Sequence, residues 1–297
     1  MFLILSDTHG FEFVDGAVPP QKLRLPTPRA DVLLHCGDLT HVGEVPSFKK
    51  ALKMLRSIDA ELKLVIAGNH DLELDRTYWE AHHEDYKGKP EDHHQAVRTM
   101  TGSPAAEAGV TYLNEGTYSF VLKSGAALRI YVSPYTPAFC DWAFAYAHNE
   151  DRFNAQHQVA DGATSIARNP IPSDVDIIMT HGPPKGILDW CPGGSVGCEN
   201  LLQALRRVKP MLHCFGHIHE GNGIEKIDWR EQDGDQVPGF EGELAPTHFA
   251  ENPYPNPFVC NAGHRDQTLA VNAAIMTAEN SPDNLPWLIS LDLPRIQ

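Results

Sequence analysis

Side chains able to bind metal ions or transfer protons follow several short apolar runs of this sequence. They are Asp7, His9, Asp38, Asn69, His70, Asp71, His181, His217 and His219. Carboxylate oxygens and imidazole nitrogens together suit Mn²⁺, Fe, Zn²⁺ or Ni²⁺, whereas Mg²⁺ and Ca²⁺ seldom take so many imidazoles. The residue types therefore predict a site for one of the former metals.

The number of candidate ligands exceeds what one metal ion can use. It suits two ions that share a carboxylate, and such a pair, roughly 3.5–4 Å apart, can hold a bridging hydroxide and clamp a phosphoryl group during displacement. Two dications bring four positive charges, of which Asp7, Asp38 and a hydroxide remove three. A phosphate anion would therefore be attracted locally, although the chain carries a net charge of −15.

The runs that precede these side chains predict buried strands, because they are short and rich in Val, Ile and Leu. They are Phe2–Leu5, Val32–Cys36, Leu62–Ala67, Val175–Met179 and Met211–Phe215. In open α/β sheets, ligands bind beyond the carboxyl ends of the strands. We therefore expect the candidate ligands to converge at one edge.

Helices are predicted between these strands. Apolar residues keep helical spacing from Phe48 to Ile58, behind Pro46, and the segment Gly197 to Val208 has the same character. Residues 118–122 and 127–132 predict a hairpin, and 258–260 and 287–291 predict late strands. The alternation of strand and helix predicts an α/β fold with a mixed-sheet core. Residues 72–110 fit no single pattern and suggest an insertion that partly covers a site.

Composition limits the partners. The chain has 24 Lys+Arg against 39 Asp+Glu, which argues against long nucleic acid or an anionic membrane surface as main partner. We find no run of 18 apolar residues and no signal-peptide pattern. The 6 Cys show no CxxC spacing, so we expect reduced thiols in a cytoplasmic protein.

The order of the motifs resembles a known family. The motifs are Asp7-x-His9, Gly37-Asp38, Gly68-Asn69-His70-Asp71, Thr180-His181-Gly182-Pro183-Pro184 and Gly216-His217-x-His219. This set resembles the calcineurin-like metallophosphoesterase superfamily, and the last two blocks resemble its metallophosphoesterase-domain-containing subgroup, with class III cyclic-nucleotide phosphodiesterases as enzymatic relatives. Five motifs in order are far more specific than any one alone.

The resemblance implies a single domain over residues 1–297, a four-layer α/β/β/α sandwich of two mixed sheets flanked by helices. It implies that Asp7, His9 and His219 hold one divalent ion, Mn²⁺ in the first place, and that Asn69, His181 and His217 hold a second, with Asp38 bridging. In the family pattern His70 is no ligand; it contacts the phosphate or protonates the leaving oxygen, with Asp71 as an orienting partner. The sequence departs from the pattern at about 72–110 and 231–257, which we interpret as insertions.

The expected activity is hydrolysis of a small phosphodiester, including cyclic nucleotides, by the hydroxide held between the metals. One alternative is a metal-binding scaffold or regulatory protein with little turnover. Another is a phosphomonoesterase or protein phosphatase on the same fold. However, the Gly-Asn-His-Glu motif of phosphoprotein phosphatases is replaced here by Gly68-Asn69-His70-Asp71. A nuclease would need a basic track, which the acidic balance does not favour. The oligomeric state stays open.

Other features favour structural interpretations. We expect His213 to be a core histidine, the pairs His82-His83 and His93-His94 to lie on a solvated surface rather than in an accessory metal site, and Cys191 and Cys198 to be unpaired. Residues 192–197 suit a loop more than a phosphate-binding turn. The alternating Trp142, Phe144 and Tyr146 suit packing more than base stacking.

Overall fold

The fold is taken from a computed structural model, which describes residues 1–16, 21–229, 251–259 and 266–295. Three sequence predictions fall wholly or partly outside these residues. They concern most of the expected 231–257 insertion, Cys260 at the end of one predicted strand, and Asn261-Ala262, which resemble the closing strand of the calcineurin-like family.

The strands of the two large sheets coincide with most of the predicted apolar runs. The described strands are β1 Phe2–Leu5, β2 Ala30–His35, β3 Ala60–Val65, β4 Val110–Tyr112, β5 Gly116–Val121, β6 Ala127–Ser133, β7 Thr136–Pro137, β8 Ala145–Tyr146, β9 Glu150–Asp151, β10 Thr164–Ser165, β11 Ile177–Thr180, β12 Trp190–Cys191, β13 Gly194–Ser195, β14 Leu212–Phe215, β15 Gly223–Asp228, β16 Phe258–Val259, β17 Gln267–Asn272 and β18 Trp287–Ser290.

The first sheet has the order β16-β18-β1-β2-β3-β4, and the second has the order β15-β17-β14-β11-β6-β5. Strands β1 to β4 run parallel, as do β6, β11, β14 and β17, while β18, β15 and β5 pair antiparallel with an inner neighbour. Both sheets are mixed, and the carboxyl ends of their parallel strands lie at a common edge. The predicted hairpin is formed by β5 and β6.

The helices cover the outer faces of the sheets. They are α1 Val45–Arg56, α2 Arg76–His82, α3 Asp92–Thr101, α4 Ser103–Ala108 and α5 Glu199–Val208, with short 3₁₀ turns at Leu72–Leu74, Gln156–Gln158 and His219–Gly221. Pro46 lies in the first turn of α1, where its missing N–H costs nothing. The segment 72–110, which showed no clear period, contains α2, α3 and α4, and it packs against α1 and β4.

Alternation along the strands separates three apolar cores. Phe2 and Ile4 face the second sheet and form the core between the sheets with residues such as Val132 and Met179. Leu3 and Leu5 face the opposite way, into the core under α1, α3 and α4. A third core joins the second sheet to α5. The layers are therefore helix, sheet, sheet and helix, as predicted, whereas the assignment of residues 1–297 to one domain stays a prediction.

None of the helices in the described ranges has the length and apolar character of a membrane span. The cysteines that the structure describes, Cys36, Cys140, Cys191, Cys198 and Cys214, are free thiols, so the pairing of Cys191 with Cys198 does not occur.

Candidate metal centre

The candidate ligands lie on turns that directly follow the parallel strands. Asp7, Asp38 and His217 adopt φ angles of 53°, 55° and 67°, and His9 adopts 40°. Residues other than glycine seldom adopt this left-handed backbone conformation, which costs about 1–3 kcal/mol per residue. Surrounding contacts must therefore hold these turns, and such outliers concentrate at functional sites.

One cluster consists of Asp7, His9 and His219, whose potential ligand atoms lie within 4.8 Å of one another. The Nε2 atom of His219 is 3.6 Å from Oδ1 of Asp7. Asp7 also accepts the backbone N–H of His217, at 2.9 Å to Oδ2. This bond ties the loop after β14 to the loop after β1, so the two sheets are joined at the cluster.

A second cluster consists of Asp38, His181 and His217, again with ligand atoms within 4.8 Å. The Nε2 atom of His181 lies 3.3 Å from Oδ2 of Asp38 and 2.8 Å from Oδ1 of Asn69. The amide oxygen of Asn69 is thus beside this cluster, where the resemblance places a fourth ligand. Across the described ranges, no other group of His, Cys, Asp or Glu meets this spacing.

Asp38 lies between the clusters. Its Oδ2 atom is 3.7 Å from Nε2 of His9 and 3.3 Å from Nε2 of His181, one histidine of each cluster. Its Oδ1 atom accepts the backbone N–H of His70 at 2.8 Å. One carboxylate therefore faces both clusters, as the family pattern requires of a bridging ligand.

Hydrogen bonds orient the imidazoles for metal binding. The Nδ1 atoms of His9, His181 and His219 lie 3.0, 2.8 and 3.1 Å from the carbonyl oxygens of Thr40, Cys36 and Thr277. A carbonyl oxygen only accepts, so Nδ1 carries the proton and the lone pair of the neutral ring is on Nε2. This is the arrangement that metal-ligating histidines use.

Charge at the site also suits cations. Burial alone would raise the pKa of Asp7, but the bond to His219 and the charge of His181 lower it to about 2. Burial lowers the pKa of His217 to about 4, which leaves its imidazole neutral. Burial opposes the charge on His181 as well, yet Asp38 raises its pKa to about 9, so a bound cation would displace that proton. The donor set fits divalent metal ions.

Two glycines let the loops approach these side chains. A Cβ atom on Gly216 would lie 2.0 Å from Oδ2 of Asp7, and one on Gly68 would lie 2.3 Å from Oδ1 of Asp38. Contacts this short do not occur between real atoms, so these positions need glycine for close packing against the ligands.

His70 lies beside the clusters but belongs to neither of them. Its Nδ1 atom is 2.7 Å from the carbonyl oxygen of His41, and its ring lies against the Trp142 indole with 4.0 Å between centroids. By the same reasoning as above, Nδ1 carries the proton. The Nε2 atom is then the one able to exchange a proton with a substrate.

Asp71 differs from the expectation that it orients His70. Its carboxylate is buried and accepts the backbone N–H groups of Leu39, Thr40 and Gly68 at 3.2, 3.0 and 2.9 Å. Burial and the nearby charge of Asp38 raise its pKa to about 7. Asp71 thus joins the loops after β2 and β3. The His41 carbonyl, rather than the Asp71 carboxylate, accepts the Nδ1 proton of His70 and orients its ring.

A cavity of about 770 Å³ opens at the metal centre. Asp38, Asn69, His70, His217 and His219 line one end, and the rest of its wall includes the apolar residues Pro137, Phe139, Trp142, Tyr146, Pro183 and Val196. No arginine is found among the described residues that line it. Lys185 belongs to the wall, and its Nζ atom donates to the carbonyl oxygen of Ser195 at 2.7 Å.

The fold agrees with the structural interpretations of His213 and of residues 192–197, and only in part with that of the histidine pairs. His213 is buried in the second sheet, with Nε2 2.9 Å from the Thr180 hydroxyl. Residues 192–197 belong to the turn around β12 and β13, where Asp189 already accepts the Gly197 N–H at 2.8 Å. The expectation of a solvated surface fits only His94, because His82, His83 and His93 are half-buried and their Nδ1 atoms lie 2.9, 3.1 and 2.6 Å from the carbonyl oxygens of Tyr78, Trp79 and Glu73.

Sequence reasoning missed the groups that position the site. The carbonyls of His41, Thr40, Cys36 and Thr277 carry no motif, because any residue type presents a carbonyl. Trp142 belongs to the alternating aromatic residues Trp142, Phe144 and Tyr146, but nothing in their spacing connects Trp142 with His70.

Known proteins resemble this chain. Residues 1–221 match the profile of the Calcineurin-like phosphoesterase family. Human metallophosphoesterase domain-containing protein 1 is 35% identical over 234 residues, which cover 75% of this chain and 61% of that protein. UPF0046 protein T07D4.2 of Caenorhabditis elegans is 31% identical over 231 residues, which cover 75% of this chain and 52% of that protein. The match thus spans only about half to three fifths of these relatives.

Among solved structures, TT1561 of Thermus thermophilus aligns with 77% of this chain and 84% of its own, with a TM-score of 0.37 and 9% identity. That likeness is too distant to add to the assignment.

The two-sheet α/β/β/α sandwich, with carboxylate and imidazole clusters at the strand ends, agrees with the class of metallophosphoesterases that the family model describes. The family match covers more than half of the sequence, and the chain belongs to the calcineurin-like phosphoesterase family.

Proposed function

We propose that this protein is a dinuclear-metal-dependent phosphodiesterase that hydrolyses small phosphodiesters. The observation that carries the proposal is the position of Asp38, whose Oδ2 atom faces His9 of one cluster and His181 of the other at 3.7 and 3.3 Å. A carboxylate shared between two three-residue clusters is what a pair of metal ions requires.

Each protein group has a distinct task in this proposal. Bound metal ions, Mn²⁺ first, with Fe, Zn²⁺ or Ni²⁺ as alternatives, would supply Lewis acidity and a water-derived nucleophile near neutral pH. Asp7 and Asp38 provide negative charge, and the carbonyl-bound imidazoles hold their Nε2 lone pairs in fixed directions. The remaining positive charge would draw the substrate phosphate into the cavity.

His70 is proposed to act on the substrate. Its Nδ1 proton bonds to the His41 carbonyl, and its backbone N–H bonds to Asp38. The ring is therefore held next to the shared carboxylate while Nε2 can donate to a phosphate oxygen or to the leaving oxygen. Asp71 acts only indirectly, because its carboxylate joins the loops that carry Asp38 and Asn69.

The cavity favours a diester. A monoester dianion is commonly held by arginine, and no arginine occurs among the described lining residues. The volume of about 770 Å³ and the partly apolar wall leave room for organic groups beside the phosphate, including those of cyclic nucleotides. The net charge of −15 disfavours long nucleic acid. Free thiols at the five described cysteines support a cytoplasmic location.

The test is a substrate panel on metal-reconstituted protein. With Mn²⁺ supplied, we expect kcat/KM for bis-p-nitrophenyl phosphate to exceed that for p-nitrophenyl phosphate, and we expect hydrolysis of 2′,3′- or 3′,5′-cyclic nucleotides. The variant His70→Ala should lower turnover roughly 10²–10⁴-fold with metal content unchanged. A strong preference for the monoester would contradict the diesterase proposal.

The same panel separates the scaffold alternative. If the protein holds two metal ions per chain and hydrolyses none of the esters, a binding or regulatory protein would explain the site better. Loss of metal in His70→Ala would instead make His70 a ligand and overturn the role proposed for it.

A further inference from the structure

Trp142 packs against His70, the proposed catalytic side chain, which belongs to neither metal-ligand cluster. Its indole and the His70 ring have centroids 4.0 Å apart and planes inclined by 37°. On its other sides the His70 ring meets the His41 carbonyl at 2.7 Å and the edge-on ring of His9 at 4.8 Å. His9 and His41 belong to the ligand loops after β1 and β2, whereas Trp142 comes from the connection between β7 and β8.

The backbone that carries Trp142, residues 136–146, is called the aromatic loop below. Cys140, Asp141 and Phe144 have φ angles of 49°, 55° and 55°. Three non-glycine residues in the left-handed region within one loop are costly, and neighbouring structure must hold them there. The base of the loop is closed by the bond from the Thr136 N–H to the Phe144 carbonyl, at 2.9 Å.

Helix α2 supplies contacts that hold the loop. Asp75, at the N-cap of α2, accepts the N–H of Phe144 through Oδ2 at 2.8 Å, and its Oδ1 accepts the helical N–H of Thr77 at 3.0 Å. The Tyr78 hydroxyl, one turn further on, donates to the carbonyl of Asp141 at 3.0 Å. The α2 segment is therefore bonded to the residues on both sides of Trp142.

We propose that Trp142 is a positioning residue for His70, and that α2 sets its place through Asp75 and Tyr78. The hydrogen bond at Nδ1 holds the His70 ring at one atom, and the indole against one face limits its rotation about the Cβ–Cγ bond. Proton transfer depends steeply on such geometry, since an error of about 1 Å can cost a large rate factor. The kinetic part of this inference rests on the proposed role of His70.

A double-mutant cycle tests the inference. With Mn²⁺ and bis-p-nitrophenyl phosphate, Trp142→Ala should lower kcat about tenfold or more, with KM changed less than about threefold and metal content unchanged. In the His70→Ala background the same substitution should change kcat less than about twofold, because its effect passes through the ring. Equal losses of kcat in the two backgrounds would overturn the inference.

Matched variants separate positioning from general damage. Trp190→Ala removes an indole that is 63% exposed and lies outside the cavity wall, and it should leave kcat near wild type. Trp142→Phe keeps a ring against His70 and should recover most of the lost rate. Tyr78→Phe removes the hydroxyl that donates to the Asp141 carbonyl and that also lies 3.2 Å from the Tyr86 hydroxyl. It should lower kcat modestly, again only when His70 is present. Failure of Trp142→Phe to recover any rate would count against ring packing.

A second readout does not need turnover. In zinc-loaded protein with ¹³C-labelled histidine, the His70 ring resonances, assigned by their absence in His70→Ala, should shift when Trp142→Ala removes the indole ring current. If the wild-type protein hydrolyses no ester but this shift occurs, the proposed function fails and the contact stands. An unchanged His70 resonance would refute the contact itself, whatever the activity.

Discussion

At the residue scale, the metal centre depends on glycines that leave space for the ligands, as well as on the ligands themselves. Gly216 lies where any Cβ would be 2.0 Å from Oδ2 of Asp7 and 2.2 Å from Oγ of Ser6. Asp7 is buried and also accepts the N–H of His217, so it has little freedom to move away.

We therefore predict that Gly216→Ala displaces Asp7 and weakens the cluster that contains His9. Metal content after dialysis should fall, and the midpoint of thermal unfolding should fall with it. Gly193→Ala is the matched control, because no atom lies within 4 Å of a Cβ at that position. Retention of both metals by Gly216→Ala would show that the Asp7 loop can move to make room for the added methyl group, and would contradict the prediction.

Asp38 and His9 allow a sharper test of the shared carboxylate. Because Oδ2 of Asp38 faces a histidine of each cluster, Asp38→Ala should reduce the binding of both metal ions. His9→Ala should mainly weaken one. Titration of each variant with Mn²⁺, followed by calorimetry, measures the number of sites and their affinities. Two tight sites in Asp38→Ala would contradict a bridging role.

At the element scale, a buried lysine joins two helices behind the first sheet. Lys63 on β3 is only 6% exposed, and its ammonium donates to the carbonyls of Leu55 in α1 and Ala108 in α4 at 2.8 and 3.3 Å. Burial lowers the pKa of this ammonium. Both carbonyls are near the ends of their helices, where intrahelical partners run out.

Lys63→Met should take the ammonium donor away from both carbonyls, of which that of Leu55 keeps the Ile58 N–H at 3.2 Å. The free energy of unfolding should fall by roughly 1–3 kcal/mol. Urea denaturation followed by circular dichroism measures this change. Lys53→Met, on a side chain that is 81% exposed and paired only at the surface, should cost less than about 1 kcal/mol. Equal effects of the two substitutions would refute the role assigned to Lys63.

At the scale of the whole molecule, net charge and buried carboxyls set the response to solution conditions. The charge of −15 gives long-range repulsion of polyanions, while the metal centre attracts a single phosphate locally. Away from that centre, burial and the neighbouring Asp189 raise the pKa of Glu225 on β15 from 4.5 to about 7.

This shift has a definite sign for stability. The folded state holds the Glu225 proton more tightly than the unfolded state, so the contribution is full below pH 4.5 and is lost as the pH rises through about 7. We predict that Glu225→Gln, which has no proton to lose, reduces the decline in unfolding free energy across this range. Denaturation at several pH values measures the slope. Glu107→Gln, on an exposed side chain, should leave the slope unchanged, and an equal effect of both variants would contradict the prediction.

Local pattern was enough to predict the strands that carry the ligands. Short Val, Ile and Leu runs that end in polar turns have few alternatives in a buried sheet, and β1, β2, β3, β11 and β14 follow them closely. Strand β17 was missed because only Leu269, Ala270 and Val271 form its apolar run. Helix α3 was missed because its buried face consists of Ala96, Thr99 and Met100, which makes a weak apolar period.

The order and type of the ligand residues were likewise determined by the sequence, since carboxylate and imidazole chemistry belongs to the side chains themselves. Which of them meet was decided only by the tertiary structure. The bond from the His217 N–H to Asp7 joins residues 210 positions apart, and no local pattern encodes such a contact. The same holds for the turn of Asp71 toward backbone N–H groups and for the contact between Trp142 and His70. These arrangements depend on how two sheets and their loops pack, and packing is a property of the folded chain as a whole.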